Sequence, residues 1–233
     1  MPLRIWEYRY WRVTSMEITY EVLLLLMLLA GAAALQFFRG RKLNIMLMEH
    51  YLRAIEPFLR PYRDRNFTLI GGYVGFKAEY QIFRGNIKVL EYTLTLLPRQ
   101  SLLYFPISLL TSRHDKLYVV VRPYSEITRG VHAIQKGYYR VRPKIEDEAI
   151  LNKVIRTVEG VTFEVLYERE KDVELIVDLL KSFPRVKDVK HISLTRSTNV
   201  VYVLMRPRPE DIRDSIRAII NFVNTRLSEH FIS

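Results

Sequence analysis

VLLLLMLLAGAAALQFF, residues 22–38, carries no charged side chain, and with ITYE at 18–21 it reaches the roughly 20 residues that a helix needs to cross a bilayer. The eight residues at 22–29 are apolar on every side of a helix, so a core helix of a soluble domain, which shows water a polar face, is the poorer reading. A cleaved secretory signal is the sharper rival, because AGAAA at 30–34 offers small residues of the kind a signal peptidase accepts. The flanking charges decide against it. Before the apolar run Arg4, Arg9 and Arg12 are offset by Glu7, Glu17 and Glu21, whereas RGRK follows at once at 39–42, and positive flanks stay in the cytoplasm. The sequence therefore predicts a single-pass membrane protein with its N-terminus outside and its C-terminal domain cytoplasmic. The membrane would be the cell membrane in a prokaryote and the endoplasmic reticulum in a eukaryote. Trp6, Tyr8, Tyr10, Trp11 and Tyr20 are the amphipathic aromatics expected at the outer interface.

The chain has 36 Lys and Arg against 25 Asp and Glu, a net charge of +11. Because residues 1–21 sum to zero, all of that charge lies after the anchor. Between residues 39 and 65, seven cations face three acids, a basic collar of +4 in which Arg39, Arg41 and Lys42 are placed against anionic lipid headgroups. With no cysteine in the chain, disulfides and thiolate metal sites are excluded.

The expected fold class is α+β: one N-terminal transmembrane helix followed by a cytoplasmic mixed α/β domain of two subdomains. The boundaries are a short extracytoplasmic segment at 1–17, the span at 18–38, a basic juxtamembrane helix at 39–65, and α+β subdomains at 66–130 and 131–233. Leu43, Leu47, Tyr51, Ile55 and Phe58 recur at helical spacing, with Pro57 and Pro61 to end that helix. From residue 66 the period becomes two, with RGN at 84–86 as a hairpin connection and Gly71, Gly72 and Gly75 as a bulge or bend within one strand. Further expectations are a helix near 99–112, strands ending at Val121 and at 137–141, a helix at 146–158, and a strand at 161–167. A helix at 172–183, strands at 189–195 and 200–205 and a closing amphipathic helix complete the chain.

No P-loop, GxSxG elbow, HExxH or dinucleotide fingerprint occurs, so no enzyme activity and no cofactor are expected. His114 and Asp115 beside Ser112 are sequence neighbours in a turn, which rarely form a triad. Lys136, Tyr138, Tyr139, Arg140, Arg142 and Lys144 mix cations with aromatics in a way that suits RNA, and equally suits an edge strand with charged protection.

NFTLIG at 66–71 after a basic amphipathic helix, then LEYTLTLLPRQSLLYFPISLL at 90–110 leading into a strand, resembles the calumin family. Its members are single-pass, coiled-coil-containing components of the intramembrane chaperone beside the Sec translocon. The late strand and helix of VVYVLMRPRPEDIRDSIRAIINFVNTRL at 200–227 are similar in order, and the resemblance covers about residues 39–227. The family's long acidic luminal region and extended basic coiled-coil tail have no counterpart, which favours a minimal, archaeal version. The resemblance implies a non-enzymatic factor that binds the translating ribosome through its RNA and the Sec translocon. Such a factor helps multi-span membrane proteins insert, with a small multi-span membrane partner or the nascent chain itself alongside. The competing expectation is a membrane-bound enzyme or lipid-binding protein with a pocket between the two subdomains.

Overall fold

In the computed structural model, residues 19–59, 65–141, 143–145 and 148–231 are described. The apolar run begins helix α1 (Tyr20–Leu59), which continues without a break into the basic collar, and the rest of the juxtamembrane helix expected to residue 65 lies, for residues 60–64, outside the described residues. Its 40 residues extend about 60 Å, roughly twice a bilayer's hydrocarbon core, so half of it lies beyond the span. The most apolar stretch has a mean hydropathy of 2.1, and none of it is buried against the rest of the chain. The second half turns Asn44, Met48, Tyr51 and Ile55 into the core. Tyr51 and Ile55 of the expected stripe are buried and Leu47 packs against the core, whereas Leu43 is exposed and the Phe58 side chain lies outside the described residues.

Nine strands follow: β1 (Arg65–Ile70), β2 (Gly75–Arg84), β3 (Ile87–Thr95), β4 (Lys116–Pro123), β5 (Val131–Gln135), β6 (Asn152–Val158), β7 (Val161–Tyr167), β8 (Val189–Thr195) and β9 (Val200–Met205). They form one sheet in the order β1-β2-β3-β4-β9-β8-β5-β7-β6, with every neighbouring pair antiparallel. A single register row runs across it: Phe67, Ala78, Tyr92, Val119, Val203, Ile192, Ala133, Val165 and Val154. All nine are apolar, and directly paired residues share a face. That face is the floor of the core. Helix α3 (Glu170–Lys181), helix α4 (Ile212–Phe231) and the second half of α1 cover it, burying among others Leu179, Ile216, Phe222 and Ile55. Strands β4 and β9 join the 66–130 segment to the 131–233 segment within this sheet.

Three local expectations change. The stretch read as one bent strand is two, because Gly71 and Gly72 stand at φ +58° and +72° and reverse the chain between β1 and β2. The helix expected at 146–158 is a single 3₁₀ turn (Glu148–Ile150) followed by strand β6. Glu159 and Gly160, both at positive φ, make a two-residue hairpin loop to β7, and the β-branched Val154, Ile155, Thr157 and Val158 suit the ladder. The strand expected at 137–141 lies earlier, as β5, and Gly137 at φ +76° begins the turn that ends it. Helix α2 (Tyr104–Thr111) accommodates Pro106 in its first turn, where no intrahelical N–H bond is lost.

Candidate functional site: a basic tyrosine and histidine face

Alternation sends the other half of each strand to the face opposite the helices. Two neighbouring rows there bring Tyr118, Leu204, His191 and Ile134, then Val120, Tyr202, Ser193 and His132, side by side. The connection after β5 folds back over them. Tyr138 stacks on His114 with ring centroids 5.9 Å apart and meets Tyr139 edge-on at 4.8 Å. Tyr139 meets His191 edge-on at 5.8 Å, and the Tyr139 hydroxyl lies 3.1 Å from His191 Nδ1. His191 in turn packs on Tyr202, whose ring lies 6.4 Å from that of Tyr118.

Burial pushes the phenols of Tyr138 and Tyr139 up to about 12, and those of Tyr118 and Tyr202 up as well. All four are therefore neutral at physiological pH. Cations ring this centre. Lys190 Nζ donates to Gln135 Oε1 at 2.8 Å and to the Lys187 carbonyl at 2.5 Å, and sits 5.9 Å from the Tyr138 ring. A register shift between Val189 and His191 aims it there, as a β-bulge does. Burial lowers its pKa, and Asp188 opposes the shift. Lys116 and Arg206 lie close enough to depress His114 electrostatically.

Of the residues expected to contact RNA, Lys136, Arg140 and Lys144 are exposed, and Arg140 Nη2 donates to the Leu110 carbonyl at 3.0 Å. Tyr138 and Tyr139 are half-buried with their rings engaged as above. Arg142 lies outside the described residues. Sequence reasoning missed Lys116, Tyr118, Lys190, Tyr202 and Arg206. Only the outward positions of β4 and β9 could have hinted at the two tyrosines. Arg39, Arg41 and Lys42, expected at the membrane surface, occupy one exposed turn of α1. Arg41 lies over the Tyr73 ring at 5.4 Å, and Arg39 and Lys42 line a cleft of about 690 Å³ with Arg99 and Phe105.

The Ser112, His114 and Asp115 neighbours do not converge. His114 Nδ1 contacts the backbone carbonyl of Asp115 at 2.7 Å, while the Asp115 carboxylate accepts two hydrogen bonds from Arg99 and one from the Leu97 N–H. Burial holds the His114 imidazole below its ordinary pKa, against the pull of that carbonyl. The unfolded chain then takes up its proton at a higher pH than the folded one. Stability is expected to fall as the pH drops below about 6.5 and through the folded value. His114→Gln should flatten this part of the pH profile, measured by urea unfolding of the full chain in detergent. Equal slopes for parent and variant would show that His114 titrates as if exposed.

The face consists of tyrosine and histidine rings surrounded by ammonium and guanidinium groups, which is chemistry for a polyanion that also carries aromatic rings. Fold and site together define an α+β protein with, among the described residues, one candidate membrane-spanning helix near its N-terminus, followed by a folded domain with a basic aromatic face. The chain matches no protein-family model and no curated protein sequence.

Proposed function

We propose that this chain is a membrane-anchored, non-enzymatic factor that associates with the ribosome and the Sec translocon and assists insertion of multi-span membrane proteins. Its domain lies on the cytoplasmic side. The observation that carries the reading is the basic face. Lys116, Lys190 and Arg206 gather around half-buried neutral tyrosines, with the exposed Lys136 and Arg140 on the connection beside them, on a domain into which the apolar helix continues and where a partner covered in RNA phosphates would meet it. The resemblance to the calumin family supports the choice of the ribosome over other polyanions.

The full chain in nanodiscs should co-sediment with ribosomes, with affinity that falls steeply as salt rises. A triple variant, Lys136→Glu, Arg140→Glu and Lys144→Glu, changes exposed side chains only. It should lower the log–log salt slope by about 2 and weaken binding at least about tenfold at physiological salt. Unchanged affinity and slope would remove these residues from the interface, and no co-sedimentation at low salt would sink the ribosome association. Crosslinking in native membranes should recover translocon subunits or a small multi-span protein.

A further inference from the structure

Helix α2 is mostly apolar, with the Ser108 and Thr111 hydroxyls turned to the backbone carbonyls of Phe105 and Ile107. Its buried side is turned to the domain at Ser108, and the opposite stripe presents Leu103, Pro106, Ile107 and Leu110 to the outside, with Leu103 81%, Ile107 52% and Leu110 70% exposed. A helix covered on one side and washed by water on the other carries polar residues on the second side. Here Tyr104 and Thr111 stand only at the margin of the exposed side and its centre is wholly apolar, a surface that suits an apolar cover.

The position of α2 identifies the cover. The loop before it is pinned to α1 where the apolar run ends. Gln36 Nε2 donates to the Arg99 carbonyl at 2.6 Å, Asn44 Nδ2 donates to the Leu97 carbonyl at 3.0 Å, and Gly40 receives the Arg99 backbone against the bare helix. Gln36 lies two positions before Phe38, about 3 Å along the helix axis. Phe105 of α2 reaches into the cleft beside Gln36, Arg39 and Lys42. On another side of α1 the β1–β2 turn comes to the same height, with Tyr73 meeting Phe37 edge-on at 6.1 Å and lying under Arg41. Two parts of the domain therefore flank the helix at the level where hydrocarbon gives way to headgroups.

We propose that α2 is a second membrane contact, lying in the lipid interface with Leu103, Ile107 and Leu110 among the acyl chains. It seats the sheet against the bilayer alongside the single span. The cations Arg39, Arg41 and Lys42 stand at the same level, where anionic headgroups complement them. This inference rests on α1 spanning the membrane and needs no ribosome partner, although Arg140 of the basic face, bonded to the Leu110 carbonyl, stands at its border.

The chain has no cysteine, so single cysteines can be introduced and labelled with a nitroxide at will. Ile107→Cys, Leu110→Cys, Leu28→Cys and Ile155→Cys would each be placed in the full chain and reconstituted in phosphatidylcholine vesicles containing phosphatidylglycerol. Collision rates with oxygen, which concentrates in lipid, would be compared with those of a water-soluble nickel chelate. The ratio at 107 and 110 should approach that at 28 and exceed that at 155, on the far edge of the sheet, several-fold. An aqueous signature at 107 and 110 with a lipid signature at 28 overturns the α2 contact and leaves the span intact. An aqueous signature at 28 overturns both. Protection of 107 and 110 from both reagents indicates a protein cover and also overturns the proposal.

Discussion

Asp172→Ala is expected to destabilise the domain by about 3–5 kcal/mol, the scale for breaking a buried ion pair by removing one partner. The Asp172 side chain is 2% exposed and faces the Arg129 guanidinium, itself 12% exposed, at 3.2 Å. Arg129 donates to it through both Nε and Nη2. The same carboxylate accepts the Arg169 backbone N–H at the start of α3, so the substitution also removes a helix cap worth about 1 kcal/mol. The double substitution Arg129→Leu with Asp172→Leu should cost much less than the single one, because no buried charge then loses its partner. Urea midpoints of the full chain in detergent test both. A loss for Asp172→Ala below about 1 kcal/mol would place the pair in the solvated class.

The second large effect is expected at Gly40. A Cβ there would lie 2.1 Å from the Arg99 carbonyl oxygen, 2.3 Å from its carbon and 2.4 Å from Gln100 N. All three are backbone atoms that no rotamer change can move. Gly40→Ala must therefore separate α1 from the 97–101 loop, loosening the Gln36 and Asn44 hydrogen bonds and the Arg99 contact with Asp115 and Asn44. The cost is at least about 1–3 kcal/mol, the scale of overpacking. Amide exchange at Gln100 and Ser101 should accelerate while that of the central strands holds. Gly31 is the matched control, with no atom within 4 Å of an added Cβ on the same helix. Gly31→Ala should be neutral or slightly stabilising. Equal effects at the two glycines would refute the close approach.

How much of this was legible in the sequence follows from the range of the forces involved. The apolar run, the β2–β3 hairpin and the stripe of Ile212, Ile216, Ile219 and Val223 on α4 are local patterns, and each is where periodicity puts it. Periodicity alone puts a helix where strand β6 lies, because the two-residue turn at Glu159 and Gly160 takes its hairpin geometry from backbone conformation and not from the apolar pattern. Among the described residues the stripe of α1 differs only at its first position, where Leu43 is exposed and a fully buried Asn44, bonded to Leu97 and Arg99, takes a place that hydrophobicity assigns to water. Nothing local marks Gly40, since its partner reaches α1 from a loop some 60 positions on, close to the 63 that separate Gln36 from Arg99. The candidate face was half visible. Its 136–144 segment announces itself by composition, whereas Lys190 reaches it through a bulge and Tyr118 and Tyr202 through cross-strand pairing, neither of which leaves a signature in a single strand.

The unbroken path of α1 from the apolar run into the core makes the domain a lever with no hinge at its base. Spans commonly lean by about 20° to suit the thickness of the surrounding hydrocarbon. Nine strands at about 4.8 Å spacing set β6 roughly 38 Å from β1, so such a lean would carry that far edge through about 13 Å. A thinner or thicker bilayer would thereby re-aim the basic face without any change in the fold, and lipid composition would act as a steering input to whatever docks there.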